Sequence, residues 1–103
     1  MDAGICHGAS GVAHMLRGFH AASDDPLFAG AASAWFRQTL DHRRPGPWFA
    51  GYYSAWPDRP RRRSDTSLLT GAAGVALALA SAVSSDAVPA WDRMLLLDPL
   101  EVA

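Results

Sequence analysis

Residues 5–16, ICHGASGVAHML, recur as LLTGAAGVALAL at 68–79, an ungapped offset of 63 residues. Gly8 matches Gly71, Ala9 matches Ala72, Gly11 matches Gly74, Val12–Ala13 match Val75–Ala76 and Leu16 matches Leu79. Six identities in twelve positions, both glycines among them, mark a repeat architecture. The offset suits one helical hairpin plus an insertion. Stacked repeats bury their apolar faces on neighbours, and fewer than about three are seldom stable alone. The expected fold is therefore an all-α hairpin array, incomplete within this chain.

Periodicity places the helices. Val12, Met15, Leu16 and Phe19 follow i, i+3, i+4, i+7 and predict a first helix over Ser10 to Ala22 with that stripe buried. Ser23-Asp24-Asp25-Pro26 offers capping oxygens and a proline suited to a first turn. A second helix is expected from Pro26 to Asp41, burying Leu27, Ala31, Ala34 and Trp35. It stops before Arg43-Arg44-Pro45-Gly46-Pro47, because proline cannot donate and restricts the residue before it. A third helix, Ser67 to Ala82, is apolar on nearly every side, as helices inside larger structures are. The tail 91–102 can form one more short amphipathic helix, whose Met94, Leu95, Leu96 and Leu97 need cover. The chain thus divides into helix repeats at 4–44 and 67–103, joined by a Pro/Arg/aromatic-rich loop at 45–66 in which PWFAGYY suits a short extended segment.

Composition excludes several function classes. With half the residues hydrophobic and 18% charged, a packed core is expected rather than disorder. A net charge of −1 provides no field for nucleic acid or anionic membrane. All nine basic residues are arginine. The longest apolar stretch, 68–83, falls short of the roughly 20 residues a membrane span needs. MDAGICHG lacks the basic and apolar regions of a signal peptide, and a single cysteine excludes an internal disulfide, so a cytoplasmic location is expected.

That cysteine sits against a histidine. Thiolate and imidazole are preferred zinc ligands, and zinc takes four, or three plus an open catalytic position. Neighbours on a regular helix point about 100° apart, but a glycine-flanked helix entrance lets Cys6 and His7 turn toward one point. A helix N-terminus favours thiolate over thiol. The alternative is a buried structural cysteine beside an incidental histidine. His14, His20 and His42 are expected at the surface or at helix ends; His42 lies near a helix C-terminus, where positive charge is favoured. The Arg59-Pro60-Arg61-Arg62-Arg63 run reads as a solvated loop, without interleaved aromatics for base stacking. Trp48, Tyr52, Tyr53 and Trp56 are expected to pack under that loop, with a substrate groove as the alternative. Gly71–Gly74 lacks the Gly-Lys-Ser/Thr ending of a phosphate loop and is expected to let two helices approach closely.

GICHGASG (4–11) followed by SLLTGAAGVALAL (67–79) resembles the last two repeats of the lanthionine synthetase C-like family, the bacterial lanthipeptide cyclases, and WDRMLLL (91–97) resembles the family's C-terminus. The resemblance spans essentially the whole chain but only about the last quarter of a full cyclase. It implies part of an α/α toroid whose inner helices begin at Gly-x-x-Gly turns. It also implies that Cys6 and His7, at the family's CHG motif, are two of three zinc ligands. The implied chemistry is zinc-assisted addition of a peptide cysteine thiolate to dehydroalanine or dehydrobutyrine, giving lanthionine or methyllanthionine. The implied partners are a dehydrated precursor peptide, a lanthipeptide dehydratase, and the N-terminal part of a split cyclase. The family's third ligand is an upstream cysteine, and its proton-transferring histidine and aspartate are also upstream. Cys6 is the only cysteine here, so zinc is expected only where another chain completes the site, and the chain alone is expected to be inactive. The alternative is a non-catalytic remnant or a helical module that binds a peptide or partner; self-association through 68–83 is expected in either case.

Overall fold

A computed structural model describes residues 1–56, 59–84 and 91–92. Among the described residues the fold is all-α apart from one small hairpin: α1 (Ala9–Ser23), α2 (Pro26–Asp41), β1 (Ser54–Trp56), β2 (Arg59–Arg63) and α3 (Ala72–Val83). The tail helix expected over 91–102 lies outside the described residues beyond Asp92.

The α1–α2 connection follows the local sequence closely. Asp24 ends α1 in the left-handed conformation (φ 56°), its N–H donating to the His20 carbonyl at 2.7 Å. Asp25 then caps α2, its Oδ1 accepting from Leu27 N–H at 2.9 Å, and Pro26 occupies the first turn, where no donor is needed. Two residues between helices leave room only for a tight hairpin, and α1 packs extensively on α2. α1 also packs on α3.

The buried faces differ from those expected. Met15 and Phe19 remain exposed, and α1 instead buries Ala9, Ser10, Gly11, Ala13 and His14. On α2, Leu27 is 73% exposed and Ala34 is exposed, whereas Ala32 and Thr39 are buried. Small side chains bring these helices close, and the bulky stripe is left at the margin, where the Phe19 ring lies 5.6 Å from that of Phe28. The core holds Ala3, Tyr52 and Val75, with Ala72 and Leu79 packed against them. α3 buries Gly74, Val75, Ala78 and Ser81 on one face and exposes Val83.

α3 also starts later than its apolar pattern suggests, at Ala72 rather than Ser67. Asp65 captures the Ser67 N–H at 2.8 Å and the Thr70 hydroxyl at 2.6 Å, holding 68–70 as a turn. The connecting loop carries more structure than its prolines and arginines indicate. Phe49 pairs with Tyr52 across Ala50 and Gly51, both at positive φ (52° and 88°), the geometry of a two-residue hairpin turn. β1 and β2 then pair antiparallel, Ser54 opposite Arg63 and Trp56 opposite Arg59.

Candidate metal centre

The Cys6–His7 turn is built from its first residues. Asp2, 1% exposed, accepts the Gly4 N–H at Oδ1 (2.9 Å) and the Ala9 N–H at its carbonyl (2.8 Å). Gly8 N–H closes the loop onto the Gly4 carbonyl at 2.9 Å, and Gly8 is the N-cap of α1 (φ −119°, ψ −175°). The glycines are needed for space, not for an unusual backbone. A Cβ on Gly8 would lie 2.6 Å from both the carbonyl and the carboxylate oxygens of Asp2, and one on Gly11 would strike the Ile5 carbonyl. So tight a turn leaves its two middle side chains outside: Cys6 and His7 are both exposed.

A second turn repeats this construction, and the equivalence extends beyond the twelve aligned residues. Asp65 stands 63 positions after Asp2, and its carbonyl accepts Ala72 N–H at 2.8 Å as that of Asp2 accepts Ala9 N–H. Gly71 caps α3 at φ −120°, ψ −169°, and a Cβ there would lie 2.5 Å from Asp65 oxygens. Gly74 lies against the Leu68 carbonyl of its own turn and against Ile5 Cγ1 of the other. The Gly71–Gly74 pair therefore lets a turn fold back onto its own helix, and Gly74 also admits the close approach of the two helix starts expected of it. The two turns touch directly through Cys6 N–H and the Leu69 carbonyl at 2.8 Å, so α1 and α3 start side by side. Asp2 and Asp65 are absent from the motif as read in sequence; their shared offset of 63 was the available signal.

The other histidines lie elsewhere. His14 is 3% exposed, not at the surface as expected. Its Nε2 lies 2.7 Å from Asp92 Oδ2, and its ring lies 4.7 Å from that of Trp91. Trp91 Nε1 donates to Ser81 Oγ on α3 at 3.0 Å. This cluster ties residues 91–92 to α1 and α3. His20, in the last turn of α1, lies 3.1 Å from the Asp25 carbonyl. His42 caps the C-terminus of α2, but burial holds its imidazole below the ordinary value, with the Met1 ammonium and Arg44 acting in the same direction. Burial there outweighs the helix-end preference for positive charge. His42 also lines an apolar cleft of about 460 Å³ with Met1, Ala34, Trp35 and Gln38.

Tyr52 is buried, as core packing under the loop predicts, and that burial raises its phenol above the ordinary range. Tyr53 stacks edge-on to Trp48 at 5.8 Å and lies under the Arg62 guanidinium at 4.4 Å. Hydrogen bonds from Thr70 and Ser67 hold the Asp65 carboxyl below its usual range.

A thiol and an imidazole, exposed on one turn, fit zinc as part of its ligand set. Among the described residues, no group of three or more His, Cys, Asp and Glu is placed to complete it. No described helix is long and apolar enough to cross a membrane. No curated protein and no solved structure matches the chain. The family model described as lanthionine synthetase C-like protein matches residues 1–96, taking in both glycine turns, the hairpin between them and the Trp91–Asp92 contact. On that match over nearly its whole length, the chain belongs to the lanthionine synthetase C-like family.

Proposed function

We propose that this chain supplies the Cys6–His7 portion of a zinc centre in a lanthipeptide cyclase. The reaction adds a peptide cysteine to dehydroalanine or dehydrobutyrine, forming lanthionine or methyllanthionine. One observation carries this reading: of two turns built on the same backbone frame, one carries Cys6 and His7 where the other has Leu69 and Thr70, and both residues are exposed. Zinc, when held there, stabilises a substrate thiol as thiolate at neutral pH. The sulfur adds to the β-carbon of the dehydro residue, and the α-carbon takes up a proton. In this chain Cys6 and His7 serve as ligands, and Gly8 and Gly11 keep their turn closed on α1. The remaining ligand and the acid come from outside residues 1–103, and the dehydrated precursor peptide comes from a dehydratase.

Elemental analysis of the purified chain, alone and mixed with the product of the reading frame immediately upstream, tests this. Zinc appearing in the mixture, and lost on Cys6→Ala with helicity unchanged, is the expected result. Absence of zinc from both samples, or its retention by Cys6→Ala, overturns the assignment. A non-catalytic, partner-binding role draws on a separate observation: Leu27, Leu40, Met15 and Phe19 are exposed on the α1–α2 pair. Exposed apolar side chains on a helix pair suit contact with another helical surface.

A further inference from the structure

We propose that Asp2 is a positioning residue that clamps the β1–β2 hairpin to the Cys6–His7 turn; the inference rests on the cyclase reading for what the turn holds. Comparing the two turns isolates it. Asp65 spends both carboxylate oxygens inside its own turn, on Ser67 N–H (2.8 Å) and on the Thr70 hydroxyl (2.6 Å). Asp2 keeps the first of these bonds, to Gly4 N–H (2.9 Å). At the position of Thr70 stands His7, and Asp2 Oδ2 instead accepts the Ala55 N–H of β1, 53 residues away, at 2.9 Å. A carboxylate that is 1% exposed thus joins the start of the metal-binding turn to the hairpin. Hydrogen bonds from N–H groups to a buried carboxylate are among the stronger ones in proteins, so the join is stiff. The same hairpin follows directly on Tyr52 and Tyr53, so the clamp also fixes where the aromatic loop begins relative to Cys6.

The test uses the full chain and its Asp2→Asn, Asp65→Asn and Ala55→Pro variants. An asparagine oxygen accepts for only one of the two N–H groups, and its NH2 opposes the other. In Asp2→Asn, amide exchange at Gly4 or Ala55 is expected to accelerate about tenfold, spreading through 4–9 and 54–56 together. Asp65→Asn is expected to accelerate exchange near 67–72 and leave 54–56 unchanged. Titration with Co2+ alone, on each variant mixed with the product of the reading frame immediately upstream and followed in the thiolate-to-cobalt charge-transfer band, provides the second readout. Asp2→Asn is expected to weaken Co2+ binding about tenfold, whereas Asp65→Asn leaves it within about twofold. Where Asp2→Asn does not fold, Ala55→Pro removes the hairpin donor without touching the Asp2 carboxylate and is expected to weaken Co2+ binding in the same direction. Unchanged exchange at Gly4 and Ala55, or equal Co2+ responses in the two aspartate variants, overturns the proposal. A wild-type mixture without the band counts against the cyclase reading instead. In that case joint acceleration across 4–9 and 54–56 still supports the clamp, and its absence overturns it.

Discussion

The turn before α1 and the turn before α3 have the same cap geometry, the same glycine spacing and the same aspartate carbonyl on the first helical N–H. Their differences lie in side chains. One turn satisfies its aspartate internally and presents Leu69 and Thr70; the other presents Cys6 and His7 and extends its aspartate to the hairpin. A backbone device set by close approach can be copied intact while its two middle positions change. The glycines and the aspartate carbonyl close each turn against its helix whether or not a middle side chain, as Thr70 does, adds a bond to the aspartate. The repeat therefore supplies geometry, and two substitutions within it supply a candidate chemistry.

The largest effect that could break this equivalence comes from the caps. Gly8→Ala and Gly71→Ala each force a Cβ onto the backbone of the turn, and each is expected to destabilise the chain by about 3 kcal/mol or more in denaturant unfolding. Tolerance of either substitution alone would show that the two turns are not built alike.

Comparable in size, but confined to one copy, is the loss of His14. His14→Ala leaves Asp92 buried without its partner and is expected to cost about 3 kcal/mol. Leu77 occupies the matching position on α3 and is half-buried, so Leu77→Ala is expected to cost clearly less, about 1 kcal/mol. Equal losses by urea midpoint would remove the asymmetry drawn here between α1 and α3.

The smallest effects are pH-dependent. The Asp65 carboxyl titrates lower when folded than when unfolded, so it contributes stability above the ordinary carboxylate range. That contribution is lost as pH falls from about 4 through the folded value, and Asp65→Asn should remove this part of the acid transition. His42 is also depressed, so protonation favours the unfolded chain and stability declines as pH drops below about 6.5. His42→Gln should flatten thermal unfolding midpoints between about pH 7 and 5. A decline that survives in both variants would assign it to other groups.

Much of the helical frame was legible in sequence. The second helix runs from Pro26 to Asp41 as its proline and Asp25 cap indicate, because those signals act within a few residues. Burial was less legible. The stripe of Val12, Met15, Leu16 and Phe19 has the period of a core face, yet the faces that pack are alanine- and glycine-rich, since close helix approach excludes large side chains. His14 looked peripheral because its partner lies 78 residues away. The hairpin was hidden by arginines and prolines that have low strand propensity, yet β1 and β2 pair antiparallel, with Trp56 opposite Arg59.

By itself, then, the sequence determined the repeat, the positions of the two glycine turns and the side-by-side cysteine and histidine, all features carried by neighbouring residues. Only the tertiary structure decided that Asp2 and Asp65 are the centres of those turns, that Cys6 meets Leu69 through the backbone and that Asp2 reaches Ala55. The last two links depend on hydrogen-bond partners far apart in the chain, and the first on a carboxylate folded back over its own turn, none of which the local pattern of residue types encodes.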